Sequence, residues 1–145
     1  MYKLERLPEN ILEKLTLLEQ LKKDNRISAL FLFGSIAKGE LHPLSDLDIA
    51  VLIDKSFSKN ELFSIHLEII GEVLELLSIN EVDVQLLNTA PPRFAHNILS
   101  TGKLVFCNNK NHLIDFTERN TLQYLDFKFY RDQFNYYFQQ GIGIL

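Results

Sequence analysis

The sequence predicts an α/β fold of the α+β kind: a small mixed sheet of about four strands flanked by helices, with a C-terminal helical arm. Three stretches carry this prediction. Residues 27–33 are a short, continuously apolar run, the pattern of a buried strand. Residues 46–53 and 81–87 begin with polar and apolar side chains in alternation, as strands with two different faces do. Between them, Ser58-Lys59-Asn60-Glu61 is a capping box that opens a helix expected to reach residue 78.

Taken in order, Pro8 suits the entry to a first helix over residues 10–25, with Ile11, Leu15 and Leu18 on one face to cover the sheet. The strand at residues 27–33 runs into a turn at Gly34 to Gly39 and a short helical segment. Residues 40–45 are expected to be loop, because Pro43 disfavours helix at His42. The helix after Ser58 has an apolar stripe of Leu62, Ile65, Ile69, Val73 and Leu76, which is ordinary core packing, with His66 at or near its surface. Pro91-Pro92 must leave the sheet, and Pro92 can begin a helix through Phe94, Ala95, Ile98 and Leu99 that Gly102 ends. Residues 103–106 make a last short strand, and Cys107 is a core or strand-end residue.

Residues 111–140 read as one long helix or two short ones. Tyr124, Phe127, Phe129, Tyr130, Phe134, Tyr136, Tyr137 and Phe138 are more aromatic surface than one helical face needs, so they either complete the core or meet a partner. The chain is one domain overall, with a core over residues 1–108 and a helical extension over 109–145 packed on that core or on a partner.

Composition narrows the function. A formal charge of −4 and a pI near 5.5 argue against direct nucleic-acid binding, which needs a basic surface. The single Cys107 allows no internal disulfide, and His42, His66, His96 and His112 lack zinc-ligand spacing. No signal-type segment or membrane-spanning run stands out, so a cytoplasmic protein is expected, with no membrane partner.

The chemistry concentrates between residues 34 and 48. Gly34 lets backbone N–H groups approach a phosphate, and Ser35 adds a hydroxyl. In Ser45-Asp46-Leu47-Asp48, alternation puts Asp46 and Asp48 on one face, and Ser45 can orient the start of that strand. An isolated Asp-x-Asp is also compatible with a turn or a solvated edge. Asp83 stands opposite Val82, Val84 and Leu86 on the later strand, and if the two strands are neighbours three carboxylates converge. Oxygen ligands alone suit Mg²⁺ or Mn²⁺, with the other positions left to water and phosphate. Arg93 can meet a phosphate or nucleobase, or can simply be a solvated arginine.

Gly34-Ser35, Ala37-Lys38-Gly39, Ser45-Asp46-Leu47-Asp48 and Asp83 together resemble the signature of the polymerase β-like nucleotidyltransferase superfamily in its minimal (MNT) form. In spacing and length the chain is similar to the MntA-like antitoxins of HEPN/MNT toxin-antitoxin pairs. Lys38 stands where arginine is common and keeps the charge without the bidentate grip; Ile36 stands where a polar or basic residue is frequent.

The resemblance implies a polymerase β-like fold and two Mg²⁺ ions held by Asp46, Asp48 and Asp83. It also implies ATP as the nucleotide donor, its phosphates held by Gly34, Ser35, Lys38 and Ser45. Asp83 is the expected base. It implies an antitoxin of a type VII-like pair that transfers AMP to a tyrosine of a cognate HEPN ribonuclease toxin. Two alternatives stay open: a non-catalytic antitoxin that inhibits by binding, and a small-molecule enzyme of the aminoglycoside-modifying type. Self-modification at Tyr124, Tyr136 or Tyr137 is a further option.

Overall fold

A computed structural model describes residues 16–34, 48–77 and 82–141. The strands are β1 (Ile27–Phe33), β2 (Asp48–Ile53), β3 (Asp83–Leu86) and β4 (Lys103–Cys107), and the helices are α1 (Lys59–Leu77), α2 (Pro92–Thr101) and α3 (Lys110–Gln139). They form one sheet in the order β3-β2-β1-β4. β1 is antiparallel to both β2 and β4, whereas β2 and β3 are parallel, so the sheet is mixed as expected. Parallel neighbours need a crossover, and α1 supplies it.

The central strands are buried on both faces, which is why β1 reads as unbroken apolar sequence. On one face Leu30, Leu32, Ile49, Val51 and Ile53 pack against Leu62, Ile65, Ile69, Val73 and Leu77 of α1. Leu77 replaces the expected Leu76 as the last fully buried member, lying four residues beyond Val73, and Leu76 is partly buried beside it. On the other face Ala29, Phe31, Ala50 and Leu52 meet Ala95 and Ile98 of α2. The small Ala29 and Ala50 side chains leave room for this second helix.

The capping box before α1 forms reciprocally: Ser58 N–H donates to Glu61 Oε1 at 2.9 Å and Glu61 N–H donates to Ser58 Oγ at 3.3 Å. The first helix stops earlier than its sequence pattern suggests. Helical residues 16–18 tighten into a 3-10 turn at Glu19–Lys23, and Asp24 Oδ1 accepts from Arg26 N–H at 3.0 Å. That side-chain bond competes with helix continuation. β3 is also shorter than expected. After Leu86 a 3-10 turn (Leu87–Thr89) takes the chain away, and Asn88 extends the ladder by side chain instead, accepting from Ile53 N–H at 2.8 Å and donating to Ile53 C=O at 2.7 Å.

The C-terminal segment is one helix of 30 residues. Its first half is anchored: Asn109 caps it by accepting from His112 N–H at 3.0 Å, and buried Asn120 donates to Pro92 C=O at 3.2 Å. The second half is not. Leu122, Leu125, Phe127, Phe129, Tyr130, Phe134, Tyr136, Tyr137 and Phe138 are all exposed, from 46% to 69%, so these side chains do not complete the core. Among the described residues no helix is long and apolar enough to cross a membrane.

His112 joins α3 to the sheet through a 2.8 Å hydrogen bond between its Nδ1 and Ser28 Oγ. Burial pushes its pKa below the usual histidine value, against a smaller opposing pull from Asp54, with Lys55 and Arg119 lowering it and Asp115 raising it. Below the unfolded value of about 6.5 the unfolded chain binds more protons than the folded one. This contribution to stability is therefore complete above that value and is lost as pH falls through the depressed folded value. Urea unfolding at about pH 7.5 and about pH 5.5 should show a loss at the lower pH that is smaller in His112→Gln; an equal loss in both proteins would remove His112 as its source.

Candidate active site

The C-terminal end of β1 and the N-terminal ends of β2 and β3 meet at one end of the sheet. Phe33 is the register partner of Asp48, and Asp48 is the register partner of Asp83. Register partners project to the same face, so both carboxylates stand together on adjacent strands about 4.8 Å apart. Asp48 is half-buried and Asp83 exposed. Like charges in this arrangement repel, and a cation between them relieves the repulsion.

Gly34 follows β1 with φ +77°. A Cβ at this position would run into the Asp48 carboxylate, standing 3.2 Å from Cγ and closer still to Oδ2. Two constraints thus require glycine here, the left-handed backbone and the close approach of Asp48. The chain turns directly against the carboxylate.

Of the site residues expected from sequence, Gly34, Asp48 and Asp83 come together here. Ser35, Lys38, Ser45 and Asp46 lie outside the described residues, as do the short helical segment and loop expected between β1 and β2. The structure adds three residues the sequence reading did not single out. Gln85 Nε2 donates to Asp83 Oδ1 at 2.6 Å, orienting that carboxylate from two positions along the same strand face. The period-2 pattern already held this signal. Phe33 and Phe94 meet edge to face, with ring centroids 5.7 Å apart, and form an apolar wall on the carboxylate face. That contact joins residues distant in sequence and had no local sign.

Among the described residues no group of three His, Cys, Asp or Glu side chains is placed to hold a metal. The paired Asp48 and Asp83 nonetheless fit a hard divalent cation, being oxygen donors on one face of neighbouring strands. Arg93 is exposed and lines a cavity between α2 and α3.

Residues 15–111 match the polymerase β nucleotidyltransferase family. The chain belongs to that family. No curated protein matches this nucleotidyltransferase, but solved structures do. A crystal structure of a toxin-antitoxin with AMP-PNP contains a chain 22% identical to it, with a TM-score of 0.65 over 82% of this chain and 93% of that one. A tri-AMPylated Shewanella oneidensis HEPN toxin in complex with MNT antitoxin gives 20% identity and a TM-score of 0.59 over 86% and 93% of the two chains. The toxin-antitoxin MntA-HepT gives 18% identity and 0.59 over 85% and 93%. These likenesses show the fold of the nucleotidyltransferase over most of its length.

Proposed function

We propose that this nucleotidyltransferase is an antitoxin that transfers AMP from ATP to a tyrosine of a HEPN ribonuclease toxin, in one or several successive additions. The observation that carries the reading is the Asp48–Asp83 pair on neighbouring strands, with the Gly34 turn pressed against Asp48. Family membership and the likeness to toxin-antitoxin structures, one holding AMP-PNP and one an AMPylated toxin, support it.

The tyrosine hydroxyl attacks the α-phosphorus of ATP, the bond to the bridging oxygen breaks, and pyrophosphate leaves. Asp83, oriented by Gln85, takes the hydroxyl proton. The Gly34 turn and the Ser35 hydroxyl hold the β- and γ-phosphates, Ser45 steadies the start of the acidic strand, and Lys38 neutralises charge on the departing pyrophosphate. Asp46, Asp48 and Asp83 would hold Mg²⁺, which, when bound, would supply Lewis-acid screening of the triphosphate charge. The exposed aromatic half of α3 is the surface that docks the toxin, since rings of this size gain most where a partner desolvates them.

Intact mass spectrometry of the cognate HEPN protein, incubated with this protein, ATP and Mg²⁺, tests the reading. A gain in whole AMP units is expected. A stable complex without mass gain would favour inhibition by binding alone, and neither gain nor complex would point to a small-molecule acceptor.

A further inference from the structure

The cavity between α2 and α3 measures about 800 Å³ and is lined by Pro91, Arg93, Phe94, His96, Asn97, Ser100, Thr101 and Tyr124. Small-molecule sites usually fall between about 300 and 1,000 Å³. Its chemistry is uneven. The rings of His96 and Tyr124 are stacked face to face, with centroids 4.1 Å apart and planes inclined by 6°, so a further ring can extend the stack only on its outer faces. On the same helix, Arg93 and Asn97 stand one turn apart and line the cavity with Ser100. Among the described residues Arg93 is in no ion pair, and the Asn97 side chain makes no hydrogen bond. A stacking surface beside one uncommitted guanidinium and an amide matches a nucleotide: base on rings, phosphate on arginine.

One wall of the cavity connects to the carboxylate end of the sheet. Phe94, one of its walls, packs edge-on against Phe33, whose register partner is Asp48. At the other end of α2, Thr101 lines the cavity and is followed by Gly102, where a Cβ would stand 3.0 Å from Leu32 C=O, again at the carboxylate end of the sheet.

We propose that this cavity binds an adenylate already attached to the acceptor and so presents its ribose hydroxyl for the next transfer. The inference rests on the AMP-transfer reading above and adds to it the residues that permit successive additions. In the second step a ribose hydroxyl of the bound adenylate attacks the α-phosphorus of a new ATP. A phosphodiester bond forms, the bond to the bridging oxygen breaks, pyrophosphate leaves, and the hydroxyl proton passes to Asp83. One arginine suits one or two phosphates.

Two measurements test this, one of them independent of activity. Calorimetric titration with the dinucleotide pApA, in EDTA and without ATP, should show binding to the wild-type protein that weakens at least tenfold in Arg93→Ala and in Tyr124→Ala, while Tyr124→Phe stays within about twofold because the stack is kept. Inorganic phosphate alone should bind far more weakly than pApA. Mass spectrometry of the HEPN protein should then show the first AMP added by Arg93→Ala at the wild-type rate, with later additions reduced at least tenfold. No pApA binding by the wild type, or equal binding by the Arg93→Ala and Tyr124→Ala variants, would overturn the proposal even if AMP transfer occurs. If the wild type transfers no AMP, the function proposed above fails, and the titration still decides whether the cavity is a nucleotide site.

Discussion

Asp48→Asn should abolish AMP transfer, lowering the rate by roughly 10³-fold or more, equivalent to about 4 kcal/mol of lost transition-state stabilisation. Asparagine keeps the shape of the side chain but removes the charge with which, in the proposed mechanism, Asp48 and Asp83 would hold a divalent cation. The fold should survive, because asparagine keeps the side chain's size and its capacity to accept hydrogen bonds. Thermal unfolding should therefore stay within a few degrees of wild type, at about 2–4 °C or less. The toxin complex should still form if docking lies on α3. The readouts are the mass of the HEPN protein over time and co-elution of the pair. Unchanged AMP addition by Asp48→Asn would remove this carboxylate from the chemistry and with it the reading of the whole sheet end.

Gly34→Ala tests the same geometry from the backbone side and should impair both stability and activity. At φ +77° an L-residue stores strain of about 1–3 kcal/mol. The added methyl also collides with the Asp48 carboxylate, so either the turn or Asp48 must move. A displacement on the order of 1 Å at a reacting centre costs about 10²-fold in rate. The expected result is a protein about 1–3 kcal/mol less stable whose residual folded fraction transfers AMP about 10²-fold more slowly. Urea unfolding gives the first quantity, and AMP transfer per folded molecule the second. An alanine variant with full specific activity would show that the approach of Gly34 to Asp48 has no part in catalysis.

The two substitutions differ in where their effects arise. Asp48→Asn acts on charge at a surface that remains folded. Gly34→Ala acts on a left-handed backbone conformation that most L-residues adopt only with strain, and catalysis is expected to suffer through displacement of Asp48.

Much of this architecture was legible in the sequence because its signals are local. The β1 run, the reciprocal Ser58–Glu61 cap and the Pro92 helix start each depend on a few adjacent residues, and each forms where its pattern lies. The misread ends have local causes of another sort. Asp24 and Asn88 bond backbone with their side chains, and such bonds do not appear in a hydrophobic pattern. The aromatic half of α3 was ambiguous between core and interface, since ring count says nothing about what lies opposite. Its exposure resolved that choice against the core.

The sequence alone marked which residues are candidates for the chemistry: a glycine at the end of an apolar strand, an Asp-x-Asp pair, and a third aspartate in an alternating strand. Residue type and period are written in the chain. Only the tertiary structure decided that β2 and β3 are parallel neighbours with Asp48 and Asp83 in register, that Gly34 lies against one of these carboxylates, and that α2 and α3 leave a cavity between them. Strand order and helix placement come from burying both faces of the sheet at once, a condition on contacts between distant residues that no single stretch contains.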